Sequence, residues 1–212
     1  VRVLVIGANG TTGRLLTERL AASGHDVRGM IRNDEQADVV RELGGTPVVG
    51  DLEGELAPAF DDIEAVAFCA GSGGSAGADG TLRVDLHGAV RSIDVCRDLG
   101  ISRYVMLSSV QAHDPLGAPE KMRHYLAAKH AADRILLDSG LDATVVRPGG
   151  LTDDDGNGHI ELGVPTLEER GEIPRADVAA TMLGCLERPS TIGITFELIS
   201  GPTPIAEALD QL

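Results

Sequence analysis

Short apolar runs alternate along the chain with longer segments whose apolar residues recur at helical spacing. Residues 2–6 read as a first strand, and Leu15, Leu16 and Leu20 form the stripe of a helix that ends at Gly24. Residues 26–31 make a second strand. Asn33 or Asp34 is placed to cap a helix through about Leu43, which Gly44 and Gly45 stop. Further strands are expected at Thr46–Val49, Ile63–Ala70, Tyr104–Ser108, Ala143–Arg147 and Thr195–Ile199. Further helices are expected at about Thr81–Leu99, Lys121–Asp138 and Arg175–Glu187, and from Pro204 onward. Pro148, Gly149 and Gly150 end the sixth strand.

Strands that alternate with helices this long imply right-handed crossovers and a mostly parallel sheet covered on both faces. A length of 212 residues suits one such α/β domain, residues 1–212, with three layers and a doubly wound sheet. Residues 151–173 break the rhythm. They are rich in Gly and Asp and too few for a domain, so they are expected as a short substrate-side flap over the sheet's C-terminal edge, with room for short strands.

The first strand runs straight into Gly7-Ala8-Asn9-Gly10-Thr11-Thr12-Gly13 and then into the first helix. A glycine turn between strand and helix exposes backbone N–H groups where a pyrophosphate can sit, which places the chain in the Rossmann, dinucleotide-binding class. Gly7 allows the sharp exit from the strand, Gly10 lets a cofactor approach, and Gly13 lets the helix pack on the sheet. Asn9 belongs to the same loop. The Thr11 and Thr12 hydroxyls can reach phosphates or serve as caps. The second strand ends in Met30-Ile31-Arg32-Asn33, with no acid before Asp34 to accept from a ribose. Arg32 can pair with a 2′-phosphate, which favours NADP over NAD, with Arg14 as a second candidate. Asp51, followed by Leu52, can accept from the adenine amine. Ala70 and Gly71 can pass beside the cofactor ribose with little bulk.

Composition narrows the partners. The chain has 33 acidic against 18 basic residues, a net charge of −15, and only two lysines, Lys121 and Lys129. That balance argues against nucleic acid and against an anionic membrane surface. A salty cytoplasm or a coding bias would each explain it. No apolar stretch is long enough for a membrane helix, and the chain begins with a strand rather than a signal peptide, so a cytoplasmic location is expected. Cys69, Cys96 and Cys185 lie far apart in apolar patterns and read as buried thiols, with no metal site. Asp153-Asp154-Asp155 reads as a solvated turn, and His113, His124 and His159 lack metal-ligand spacing. Leu86, Val90, Ile93 and Leu126 could be core or a dimer face, leaving monomer and homodimer both open.

Tyr125 and Lys129 share one helix face, and Ser108 and Ser109 end the preceding strand. A tyrosine acidified by a nearby lysine can exchange a proton with a carbonyl or alcohol, and a serine hydroxyl can hold the same oxygen. Tyr and Lys at this spacing also recur by chance. With the glycine loop, Asp51-Leu52, Ala70-Gly71, Leu107-Ser108-Ser109, Tyr125-Leu126-Ala127-Ala128-Lys129, Arg147-Pro148-Gly149 and Arg175-Ala176-Asp177-Val178-Ala179, the chain resembles the short-chain dehydrogenase/reductase superfamily, on its extended or atypical side. The resemblance covers residues 1–200.

The resemblance implies Tyr125 as acid/base and Lys129 as holder of the nicotinamide ribose. It implies Ser109, before Ser108, as the group that orients the substrate oxygen, and Pro148 as part of the nicotinamide pocket. Asp177 is expected to fix the turn into its own helix, and Arg123 and Arg147 could counter an anionic substrate. The implied activity is NADP-dependent hydride transfer with a small carbonyl or alcohol. The alternatives are an NAD-dependent epimerase/dehydratase or a non-enzymatic dinucleotide sensor. Extended members that act on nucleotide sugars carry a larger C-terminal lobe than 151–173, which weighs against that substrate class.

Overall fold

The computed structural model describes residues 1–73 and 76–212; Gly74 and Ser75, part of the loop expected after the fourth strand, lie outside the described residues. The chain builds β1 (Arg2–Ile6), α1 (Thr11–Ala22), β2 (Asp26–Ile31), α2 (Ala37–Glu42), β3 (Thr46–Val49) and β4 (Ala65–Phe68). Next, α3 (Gly77–Gly80) runs through a π-helical stretch, Thr81–Gly88, into α4 (Ala89–Leu99). There follow β5 (Arg103–Leu107), α5 (Glu120–Leu137), β6 (Asp142–Pro148), β7 (Gly150–Thr152), β8 (His159–Gly163) and β9 (Glu172–Pro174). The chain closes with α6 (Arg175–Glu187), β10 (Thr195–Ser200), β11 (Thr203–Pro204) and α7 (Ile205–Asp210).

Nine strands form one sheet in the order β11-β8-β10-β6-β5-β4-β1-β2-β3. Its pairs are parallel except those that β8 makes with β10 and β11. Apolar residues alternate across the central strands because both faces are covered. Val3 and Val5 of β1 pack with Leu16 and Leu20 of α1 and with Val178 and Met182 of α6. Leu4 and Ile6 point the other way, into a cluster with Ile93 of α4 and Leu136 of α5. This is the three-layer, doubly wound Rossmann-like domain that the alternation predicts.

Several elements differ from the expected ones. The helix after β2 is split into a 3-10 turn at Asp34–Gln36 and α2, and Asn33 makes no side-chain cap. The long helix starts at Gly77, because a glycine-rich turn conceals helix from propensity. The expected irregular segment contains β8, which pairs with β10 and so extends the main sheet. Its Ile160 is fully buried while His159 and Glu161 face solvent, the alternation of a one-sided strand. Pro204 sits in the outermost strand, where its missing N–H costs no ladder bond. Ile93 and Leu126 are core, whereas Leu86 and Val90 are half-buried.

Candidate active site

Parallel strands deliver their C-terminal ends to one edge, and the expected site residues follow those ends. Gly7 leaves β1 at φ +87°, and a Cβ there would come within 2.7 Å of the Ala70 nitrogen that follows β4. A Cβ at Gly13 would collide with the Gly7 carbonyl oxygen, so α1 can lie against the turn only through glycine. Gly10 differs: its N–H donates to Gly7 O at 2.9 Å, and a Cβ there would meet only that oxygen, at 3.2 Å. No side chain caps α1. The N–H groups of Thr11, Thr12 and Gly13 therefore lack intrahelical acceptors, as a helix N-terminus requires, and suit a phosphate. Thr12 is buried and Thr11 exposed.

The remaining cofactor candidates stand along the same edge. Arg32 is exposed after β2; its backbone N–H donates to Gln36 Oε1 at 3.1 Å, and among the described residues its guanidinium has no carboxylate partner. Arg14 instead donates to the carbonyl oxygen of Asn9 at 2.9 Å and to that residue's side chain. Asp51 closes a turn by accepting the Glu53 N–H at 2.9 Å, and buried Leu52 packs under Gly88 of the π-helical stretch. A Cβ at Gly71 would lie 3.3 Å from Asp85 Oδ1. Pro148 is buried, and its carbonyl accepts the Val110 N–H at 2.9 Å.

Tyr125 and Lys129 meet on α5, with the ammonium 5.9 Å from the centre of the tyrosine ring. Lys129 is buried, donates to Leu107 O at 3.0 Å and stands 3.6 Å from Asp85 Oδ1. Burial works against its charge, but Tyr125, Asp85 and Asp133 outweigh that and hold the ammonium above the ordinary lysine range. Tyr125 is half-buried at the surface end of this group. The serines divide. Ser108 is buried and donates to Asp133 Oδ2 at 2.8 Å, while half-buried Ser109 makes no side-chain hydrogen bond among the described residues.

Arg147 is corrected. It was expected as a possible partner for an anionic substrate, but it lies buried and grips Asp133 through Nε and Nη2, both at 2.9 Å. Its alternation in β6 turns it toward α5 rather than outward.

Three acids were missed: Asp85, Asp133 and Glu197. Each was legible as a charge on an apolar stripe. Asp85 falls in line with Ala89, Ile93 and Cys96, Asp133 follows Lys129 by one turn, and Glu197 interrupts Phe196–Ile199. Glu197 binds the loop after β5 to the segment after β8. It accepts Gln111 N–H and faces His113 Nδ1, each at 3.0 Å, and its other oxygen accepts Leu167 N–H at 3.0 Å. Gln111 takes φ +66°, a left-handed conformation that a non-glycine residue adopts at a cost. His130 Nδ1 holds the same loop at Ala112 O, 2.7 Å away. Asp177 accepts the N–H groups of Asn157 and Gly158, so it holds the turn before β8 rather than the turn into its own helix.

A cavity of about 990 Å³ borders the glycine loop at Asn9, Gly10 and Thr11 and is walled by Thr152–Gly156 and Arg175. Asp153 of that wall pairs with Arg175 at 2.7 Å. Arg32, Asp51, Tyr125 and Lys129 do not line it. His124 is exposed and lines a smaller apolar cleft of about 260 Å³ between α5 and the π-helical stretch. No helix among the described residues is long and apolar enough to cross a membrane.

Known proteins resemble this chain over its whole length. The uncharacterized sugar epimerase YhfK of Bacillus subtilis is 42% identical, with 100% of both chains covered. Sanguinarine reductase of Eschscholzia californica is 29% identical over 97% of this chain and 91% of its own. A solved structure from Bacillus halodurans, named as a candidate NAD-dependent epimerase/dehydratase, matches with a TM-score of 0.97 and 44% identity, covering 100% of this chain and 99% of that one. The family described as NAD(P)H-binding matches residues 7–189. The chain thus belongs to this NAD(P)H-binding family, as its resemblance to the short-chain dehydrogenase/reductases implies.

Proposed function

We propose that this chain is an NADP(H)-dependent oxidoreductase acting on a small carbonyl or alcohol. The observation that carries the reading is Lys129: a buried ammonium one turn from Tyr125, beside the strand end that presents Ser109. A buried lysine is unusual enough to ask for a task, and this one stands where it can steady a phenolate.

The uncapped start of α1 and the open side of Gly10 fit a pyrophosphate, so Gly7, Asn9, Gly10, Thr11, Thr12 and Gly13 would hold it. Arg32 would meet a 2′-phosphate, Asp51 and Leu52 the adenine, and Ala70, Gly71, Lys129 and Pro148 the nicotinamide half. The nicotinamide, when bound, supplies or accepts the hydride. Tyr125 gives its proton to the substrate oxygen in reduction and takes it back in oxidation. Ser109 donates a hydrogen bond to that oxygen, since Ser108 is committed to Asp133. Residues 151–173 would close the substrate side.

The name of the 42% identical relative supports a second reading, an epimerase or dehydratase that returns its hydride to the same substrate. The two readings part on cofactor use. The test is turnover of NADPH with a panel of small carbonyls by the wild type, Tyr125→Phe and Lys129→Met. The oxidoreductase reading expects net NADPH oxidation that falls by roughly a hundredfold or more in Tyr125→Phe. No Tyr125-dependent oxidation, together with tightly retained NAD, would overturn it in favour of the second.

A further inference from the structure

We propose that Asp85 is a positioning residue for this reaction, balancing the charge of Lys129 so that Tyr125 remains a proton donor and the site favours carbonyl reduction. The inference rests on the oxidoreductase reading above. Asp85 is 1% exposed and lies on the π-helical stretch. Its Oδ2 accepts the Ser72 N–H at 3.0 Å, from the loop that follows β4. Among the described residues its Oδ1 has no hydrogen-bond partner, and it stands 3.6 Å from the Lys129 ammonium. One carboxylate oxygen is thus anchored, and the other is aimed at the lysine without being consumed by it.

The other groups around Lys129 supply less of this balance. From its own helix comes Asp133, which also favours the ammonium, but its Oδ2 is bound by Arg147 and the Ser108 hydroxyl, and only its Oδ1 lacks a partner among the described residues. Arg147, from β6, cancels that charge. Just after β4 comes Cys69, a thiol that burial pushes up to about 12 and so keeps neutral. From the end of β5 and the residue after it come the Leu107 carbonyl and Ser108, both uncharged. His124 is exposed, and His130 is turned to Ala112 O. Asp85 is therefore the carboxylate near Lys129, among the described residues, that no arginine has claimed.

An uncompensated ammonium beside Tyr125 would favour its phenolate. A carboxylate on the far side of that ammonium weakens the pull without removing the lysine. In reduction the Tyr125 O–H bond breaks, a new O–H bond forms on the substrate oxygen as its carbon receives the hydride, and water returns a proton to the phenolate. A tyrosine that stays protonated serves that direction. One that ionises easily serves alcohol oxidation.

The protein is suited to a direct test. It has two tyrosines and no tryptophan. Tyr104 is fully buried and its hydroxyl lies 2.7 Å from Ser92 Oγ. Burial drives its ionisation well above the ordinary range. The first tyrosinate absorbance of the folded, substrate-free protein should therefore report Tyr125, which Tyr125→Phe would verify by abolishing it. Asp85→Asn should move this transition to lower pH by about one unit. The alkaline limb of NADPH-dependent reduction should move the same way, because loss of either the tyrosine proton or the lysine charge ends the reaction.

If Asp85→Asn does not fold, Lys129→Met and the Lys129→Met/Asp85→Asn double variant carry the comparison, and the added Asp85→Asn should again lower the transition. A transition that stays within about 0.2 units in both comparisons, set against the one-unit shift expected, would overturn the proposal while Tyr125-dependent turnover left the oxidoreductase reading intact. Absence of Tyr125-dependent turnover would bring down that reading, and this proposal with it.

Discussion

Glu197 faces His113 at 3.0 Å, a fully buried carboxylate meeting a half-exposed imidazole from the loop that follows β5. The same carboxylate accepts two backbone N–H groups, from Gln111 and Leu167. Glu197→Ala would strand those donors, and it should lower stability by about 3 kcal/mol, read from the urea midpoint. His113→Ala removes one partner that water can replace and should cost about 1 kcal/mol or less. Equal losses in the two variants would show that the carboxylate does not organise the loop.

Gly13 and Gly10 should separate fold from binding. Gly13→Ala forces a methyl into the Gly7 carbonyl and should destabilise the protein by about 1–3 kcal/mol in chemical unfolding. Gly10→Ala meets only one atom, at 3.2 Å, so its unfolding midpoint should barely move while its affinity for NADP(H) falls. Unchanged cofactor affinity in Gly10→Ala would place the phosphates elsewhere.

Arg32 should set the choice of cofactor. Arg32→Ala should weaken NADPH by roughly tenfold or more, the worth of one charge-assisted contact, and leave NADH nearly unchanged. Parallel titrations of both cofactors decide it, and an equal loss for each would assign Arg32 to the surface.

The thiols should be quiet. Burial holds Cys69, Cys96 and Cys185 each at about 12, so almost no thiolate exists near neutral pH. A chromogenic disulfide reagent should label the native protein slowly and label all three cysteines rapidly in denaturant. Fast labelling of native Cys69, which is partly accessible beside Met182 at 3.8 Å, would contradict this.

The fold was legible because each strand is short, apolar and followed by a turn, and because the glycine spacing between β1 and α1 admits few other structures. β8 was less legible, since a strand with one polar face inside a Gly-rich segment carries little periodic signal. The locations of Tyr125, Lys129 and the glycine loop followed from strand ends and helix turns. What surrounds them did not. Asp85, Asp133 and Arg147 come from three different elements, and only their packing reveals which charges cancel. The same holds for Arg147, whose side of the strand depends on register.

The contact between Gly13 and the Gly7 carbonyl has an entropic consequence. Backbone packs on backbone there and the Gly10 N–H donates to Gly7 O, so the turn is held by the chain's own contacts. Freezing a loose loop costs about 1–2 kcal/mol per residue, which an incoming dinucleotide would otherwise have to overcome. A cradle set in advance spares that cost, and association should proceed with little ordering of the protein, close to a rigid fit.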